Sequence, residues 1–354
     1  MRLGIIGLTQ TGKTTIFNAL TRGNQPVTTS GGRFEVHTGV VDVPDERVDR
    51  LSAMFKPRKT IYAKVTYADI AGLEGGKAAI SGALLNQLSQ MDGLLHVVRC
   101  FDDPSVLHPA GSLNPARDAA TMDAELLIND MISVERKLER LTEERKKGGG
   151  REKAMVEREI ALFNRFQEAL SHETPLREVE ITTEEEKALA GFGFLTRKPL
   201  LLLLNLAEGQ QPPAFEITRP HIGLVALQGK LEMDIAQLSA EDAELFMAEY
   251  GIEELGLKRV IRLSYDLLGQ QSFFTVGEDE VRAWTVRRGA TALEAAGTVH
   301  TDLMKGFIRA EVVTYQDLIT LGGLAEARSK GKLRLEGKEY IVQDGEIVHI
   351  RFNV

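Results

Sequence analysis

The stretch Leu3-Gly-Ile-Ile-Gly7-Leu-Thr-Gln10-Thr11-Gly12-Lys13-Thr14-Thr15-Ile16-Phe17 decides the fold. Residues 3–6 are almost wholly apolar, as in a strand buried on both faces of a sheet. Gly7 to Thr14 then spell G-x-x-x-x-G-K-[ST], and residues 13–20 read as a helix, so strand, loop and helix follow in the order a phosphate-binding loop requires. Glycine lets the backbone close around phosphate oxygens, and successive amides point inward at the helix N-terminus. Lys13 brings a cation to the β and γ phosphates, which makes it a candidate for catalysis as well as binding, and Thr14 offers its hydroxyl to Mg²⁺. The candidate phosphate-binding residues are therefore Gly7, Gln10, Thr11, Gly12, Lys13, Thr14 and Thr15. With Gly near 7% of residues, the pattern arises by chance in roughly one chain in a hundred of this length.

Outward from this stretch, residues 94–98, 200–204 and 222–227 repeat the buried-strand texture, with helical segments between them. That alternation predicts an α/β, doubly wound P-loop sheet. From residue 121 the texture changes: Leu127, Met131, Val134, Leu138 and Leu141 recur at four- and three-residue spacing among charged residues, a heptad seam. The seam breaks at Gly148-Gly-Gly150 and resumes with Val156, Phe163, Phe166 and Leu170, which predicts an antiparallel coiled-coil hairpin inserted into the sheet domain. After residue 273, β-rich runs at 281–286, 307–313, 340–342 and 348–352 flank a helical 291–300, a small α+β module. The predicted plan is a discontinuous nucleotide-binding domain (1–120 and 196–270), a helical arm (121–195) and a C-terminal module (273–354).

With 354 residues, 43% hydrophobic and 27% charged, the composition is that of a globular protein large enough for several cores. A formal net charge of −8 argues against wholesale coating of nucleic acid, while leaving room for a local basic patch. Cys100 is the only cysteine, so no disulfide forms within the chain. No apolar run approaches about 18 residues and no signal-peptide plan opens the chain, so no membrane association and a cytoplasmic location are expected.

Two further motifs fall at predicted strand ends. Asp69-Ile-Ala-Gly72 closes the strand-like 61–67, where an Asp can hold Mg²⁺ through water and a Gly amide can meet the γ-phosphate. Asn205-Leu206-Ala-Glu208 closes the strand at 200–204, on the sheet edge where open α/β sheets bind ligands, and is a candidate base-binding loop.

Taken in order, the P-loop, Asp69-Ile-Ala-Gly72-Leu73, His96-Val-Val-Arg-Cys-Phe101 and Asn205-Leu-Ala-Glu208 resemble the YchF subfamily of Obg-like ATPases. Glu280-Val-Arg-Ala-Trp-Thr285, His300-Thr-Asp302, Lys305-Gly-Phe-Ile-Arg309 and Asp344-Gly345 look like that family's β-grasp TGS domain. The resemblance implies slow ATP hydrolysis with Mg²⁺, held by Thr14 and Asp69, and an association with the ribosome or RNA. It also implies that His108, in Val106-Leu-His-Pro-Ala-Gly-Ser-Leu-Asn114-Pro115, activates the attacking water, because Leu73 stands where Ras-like enzymes carry Gln. This chain departs from the family pattern at Gln10, where members usually carry Asn, and at Arg33, where the first switch normally presents Thr.

The base-binding loop argues for ATP over GTP. In the N-K-x-D motif of GTPases the Asp carboxylate accepts two hydrogens from guanine and the Lys stem lies along the base. Leu206 and Glu208 replace both, and Leu206 is expected to pack on the adenine face. A GTPase of the same fold and an adaptor that holds nucleotide with negligible turnover are the rival readings. Arg136, Lys137, Arg140, Arg145, Lys146, Lys147 and Arg151 cluster toward the glycine turn and offer an RNA contact, against which stands a solvated coiled-coil surface.

Overall fold

The computed structural model describes residues 1–25, 36–70, 80, 82–147, 152–189, 191–214 and 222–353. Its strands are β1 (Arg2–Ile6), β2 (His37–Asp42), β3 (Lys59–Ile61), β4 (Lys64–Asp69), β5 (Gly93–Arg99), β6 (Leu200–Asn205), β7 (Ile222–Leu227), β8 (Gln270–Val276), β9 (Glu280–Arg287), β10 (Phe307–Val313), β11 (Arg334–Glu336) and β12 (Ile347–Phe352). They form two six-stranded sheets. One has the order β2-β4-β1-β5-β6-β7, the other β11-β10-β12-β8-β9-β3. The α-helices up to Glu249 are α1 (Lys13–Thr21), α2 (Glu46–Phe55), α3 (Gly82–Ser89), α4 (Pro115–Lys147), α5 (Lys153–Ser171), α6 (Thr183–Ala188), α7 (Gly229–Ala236) and α8 (Ala240–Glu249).

Contacts divide the chain into two compact units, Met1–Gly39 with Thr66–Val260, and Val40–Val65 with Ile261–Val354. In the first unit β1 runs parallel to β4 and β5, β5 to β6, and β6 to β7. Every residue of β5 and β6 is buried, because covered parallel strands have no polar face. Asn114 caps the helix α4 (Pro115–Lys147), its side chain accepting from Arg117 N at 3.0 Å, with Pro115 at the first helical position where its missing N–H is harmless. Met122 and Leu126, early in α4, pack with Ile6, Leu94 and Leu200 in the core of the sheet. Further along, Val134 and Leu141 join Val156, Phe163, Phe166 and Leu170 of α5 (Lys153–Ser171) in a separate arm core. This change of packing partner is why the seam is read only from Leu127. The buried carboxylate of Asp130 ties the arm base to the entry of β6, accepting from Leu195 N (2.9 Å), Thr196 N (2.7 Å) and Thr196 Oγ1 (2.6 Å). The arm thus groups with the sheet it interrupts; the glycine turn at 148–150 lies outside the described residues.

The second unit is a mixed sheet of β-grasp type. β10 pairs antiparallel with β11 and β12, β12 runs parallel to β8, and β8 pairs antiparallel with β9. Helix Ala292–Val299 carries a complete capping box between Thr291 and Glu294 and buries Ala292, Ala295 and Ala296 beneath the sheet. Residues 40–65, assigned by the sequence reading to the nucleotide-binding domain, belong to this unit. β3 adds to its edge in parallel with β9, and Arg47 pairs with Asp344 at 2.7 Å. The run read as one strand over 61–67 is consequently two, since the chain leaves one sheet after Ile61 and enters the other at Lys64. Residues 340–342, read as a strand, make only one bridge, from Ile341 to Thr291.

Candidate functional site

The loop after β1 adopts a backbone that its sequence dictates. Gly7 has φ +151°, and an added Cβ would lie 2.5 Å from the Val97 carbonyl oxygen. Gly12 has φ +89°, and its Cβ would collide with Asn205 Nδ2. Only glycine serves at either position. Between them Gln10 also takes a positive φ of 62°. Thr11 Oγ1 donates to the Leu8 carbonyl at 3.1 Å and stiffens the loop from within, while Thr15 is half-buried in the first turn of α1 (Lys13–Thr21).

The Lys13 side chain curls over the loop, donating from Nζ to the carbonyls of Gly7 (3.2 Å) and Leu8 (2.7 Å). Burial pushes its pKa down to about 8, with the Asp69 charge opposing that fall. Asp69, at the end of β4, is buried too, and this desolvation raises its pKa against the opposing effects of the Thr14 hydrogen bond and the Lys13 charge. Thr14 Oγ1 donates to Asp69 Oδ2 at 2.8 Å. Parallel pairing of β1 with β4, with Ile5 opposite Asp69, brings these side chains together across 55 residues of sequence. A hydroxyl and a carboxylate are hard oxygen donors, suited to Mg²⁺ held by a few protein atoms with water and phosphate completing the shell. Among the described residues no group of three His, Cys, Asp or Glu could hold a metal by itself.

Asn205 reaches the same loop from the opposite strand. Its Nδ2 donates to the Thr11 carbonyl at 3.0 Å and its Oδ1 accepts from Gly229 N at 3.1 Å, so its buried amide fastens the P-loop to β6 and to the helix Gly229–Ala236. Sequence reasoning placed this residue at the base; the structure gives its side chain a clamping task. Gly229 and Gln210 were missed. Gln210 fixes the loop after β6 by accepting from Ala207 N (2.8 Å) and donating to the Cys100 carbonyl (2.8 Å). Leu206 differs from expectation: it is buried in a core with Val98, Cys100, Ala119, Leu202 and Leu204, because it continues the alternation of β6 toward α4. Glu208 is exposed at the loop tip.

His108 is not a free surface imidazole. Its Nδ1 accepts from Ala110 N at 3.2 Å, so the ring proton sits on Nε2 and is donated to Asp118 Oδ2 at 2.9 Å. Asp118 is buried in the first turn of α4, and its other oxygen accepts from Arg117 Nε (2.9 Å) and Nη2 (2.8 Å). The signal for Asp118 was the Asn114-Pro115 cap, which places an acid where the positive end of the helix favours one. His96, in mid-β5, is fully buried with no partner at Nδ1. Burial first, then the Lys13 charge, lowers its pKa to about 3, so it stays neutral. Gly72, Leu73 and Arg33 lie outside the described residues.

Comparisons with known proteins bear on the family and the fold. The family described as "50S ribosome-binding GTPase" matches residues 2–137, and YchF-GTPase_C, described as "Protein of unknown function (DUF933)", matches 270–353. The chain is 38% identical to "Ribosome-binding ATPase YchF" of Bacillus subtilis over 99% of both chains, and 40% identical to its Haemophilus influenzae counterpart over 100% of this chain and 99% of that one. A solved structure, "Structure of the Schizosaccharomyces pombe YchF GTPase", superposes with a TM-score of 0.85 at 30% identity, covering 99% of this chain and 97% of that chain. Similarity at this level along the whole length, together with the P-loop architecture, shows that the chain belongs to the YchF family.

Proposed function

We propose that this chain is a slow ATP hydrolase that works as a nucleotide-dependent switch on the ribosome. The observation that carries the reading is the convergence of Lys13, Thr14 and Asp69 at the mouth of the glycine loop. A buried lysine whose charge is poorly solvated, beside loop amides at a helix N-terminus, is a site waiting for an anion. Thr14 and Asp69 would hold Mg²⁺, which would supply positive charge against the negative charge that develops during phosphoryl transfer. Lys13 then exchanges its two carbonyl partners for phosphate oxygens. Thr14 releases Asp69, and Asn205 keeps the loop in place throughout.

ATP is favoured over GTP because Glu208 carries one methylene more than the Asp that accepts two hydrogens from guanine. Leu206, built into the core, supplies no amphipathic stem along a base. The names of the relatives include both ATPase and GTPase, and those of the bacterial relatives point to ATP and the ribosome. A ribosomal partner, the lone reduced Cys100 and the absence of a membrane-spanning helix among the described residues support a cytoplasmic location. Of the arm's cations, Lys137 is paired with Glu159 at 2.8 Å and lies over the Phe163 and Phe192 rings, and Lys147 is paired with Glu143. Arg136, Arg140 and Lys146 are exposed without a described ion pair, and they are the arm residues proposed to meet RNA.

Multiple-turnover phosphate release, with Lys13→Ala as the control, tests the reading. Release by the parent that depends on Mg²⁺ and vanishes in the variant is the expected result. A parent rate no higher than the variant's, with nucleotide still bound, turns the protein into a nucleotide-holding adaptor.

A further inference from the structure

Helix α8 (Ala240–Glu249), in the first unit, has no buried residue at all. A helix that buries nothing normally frays, since tertiary packing supplies most helical stability. This one is held at both ends instead. Ser239 caps the start, accepting from Asp242 N at 3.1 Å. Gly251, at φ +64°, closes a Schellman turn in which Ile252 N donates to the Met247 carbonyl at 2.8 Å and Gly251 N to that of Ala248 at 3.4 Å. The helix is therefore shaped in advance, independently of any cover.

Its surface is unusual in two respects. Large apolar groups face outward: Leu245 is 70% exposed, Tyr250 57% and Leu238 41%, and the Phe246 and Tyr250 rings stack with centroids 4.3 Å apart. Around them stand Glu241, Asp242, Glu244, Glu249 and Glu253, all exposed, while residues 238–254 contain no Lys or Arg. An apolar centre rimmed by one sign of charge marks an interaction surface.

We propose that α8 and its C-terminal turn form a docking surface for a basic segment of another protein, one that interleaves Arg or Lys with aliphatic residues. Five carboxylates repel nucleic acid and attract cations. Arginine stems lie along Leu238 and Leu245 while a guanidinium covers the face of the stacked Phe246 and Tyr250 pair. The capped helix loses little conformational freedom on binding, which favours affinity on a small patch. This surface is separate from the nucleotide site and does not rest on the reading of that site.

Fluorescence anisotropy with the full chain and a short labelled peptide alternating Arg and Leu tests the proposal, beside an oligolysine peptide and a labelled single-stranded RNA. The double variant Leu245→Ser with Tyr250→Ser changes only exposed side chains, and its circular dichroism is compared with the parent's. The triple variant Glu241→Lys, Glu244→Lys, Glu249→Lys reverses the rim. We expect the Arg-Leu peptide to bind more tightly than oligolysine, the serine variant to weaken it about tenfold or more with the helix intact, and the rim reversal to abolish it. Equal binding of the Arg-Leu peptide by parent and serine variant overturns the proposal. So does oligolysine binding as tightly as the Arg-Leu peptide, or RNA binding that the serine variant loses.

Discussion

His108 Nε2 donates to Asp118 Oδ2 at 2.9 Å while Nδ1 accepts from Ala110 N, so neither ring nitrogen is free in this conformation. For His108 to orient a water through Nε2, the ring must give up its bond to Asp118, and that release becomes part of activation. His108→Ala is expected to lower turnover at least about tenfold, or roughly 1.4 kcal/mol of barrier, with ATP affinity little changed. Phosphate release and equilibrium nucleotide binding measured together check this, and equal turnover removes His108 from the chemistry.

Lys13 makes nucleotide-free stability depend on pH. Its pKa falls from 10.5 in the unfolded chain to about 8 when folded, chiefly through burial. The unfolded state therefore binds the proton more tightly, and the resulting penalty is full below about pH 8 and fades as pH rises toward 10.5. Lys13→Met should stabilise the nucleotide-free protein at neutral pH by up to about 3 kcal/mol, at about 1.4 kcal/mol per pKa unit, with the gain shrinking in alkaline buffer. Denaturant midpoints of both proteins across this range test the sign. A constant difference would show that the Lys13 charge is not the cause.

Asn205 joins the P-loop to β6 by two hydrogen bonds, so Asn205→Ala leaves Thr11 O and Gly229 N unpaired in a buried place. The loss should be about 1 to 3 kcal/mol of stability and about tenfold or more in nucleotide affinity. Thermal melts and calorimetric titration measure both. An unaltered affinity would mean that the clamp is not needed for binding.

Nucleotide choice is tested on the parent chain, by calorimetry with non-hydrolysable ATP and GTP analogues. ATP should bind about five- to 150-fold more tightly, the range given by one unpaired polar contact of about 1 to 3 kcal/mol. Because Leu206 lies in the core, Leu206→Lys would bury a charge and unfold the site, so Glu208→Asp is the usable probe and should raise GTP affinity. Tighter GTP binding by the parent would reverse the assignment while leaving the P-loop intact.

On the arm, replacing Arg136, Arg140 and Lys146 by Gln should weaken ribosome co-sedimentation and flatten its salt dependence. The same change at the paired Lys137 and Lys147 should matter less to the salt slope. Unchanged sedimentation of the first variant assigns the ribosomal contact to another surface.

What the sequence determined by itself was everything carried by local pattern. The Gly7 to Thr14 loop was legible because the φ values at Gly7 and Gly12 demand glycine and the buried strand before it is continuous. The arm was legible because a 3.5-residue seam has few other uses, and the sheet strands because a segment buried on both faces has no polar positions. Tertiary structure decided whatever depends on partners far apart in the chain. Asn205 meets Thr11 across 194 residues, and no property of the Asn-Leu-Ala-Glu run tells a base ligand from a loop clamp. Leu206 looked like a residue for a ring face, yet strand alternation turned it into the core. Residues 59–61 and 64–69 share a β-rich texture but hydrogen-bond in different sheets, because edge pairing of β3 with β9 and central pairing of β4 with β1 ask the same side-chain types of a strand. His108, read as an active-site imidazole, is held by Asp118 because the helix cap at Asn114 aims that acid back toward the loop, an arrangement that spacing alone does not encode.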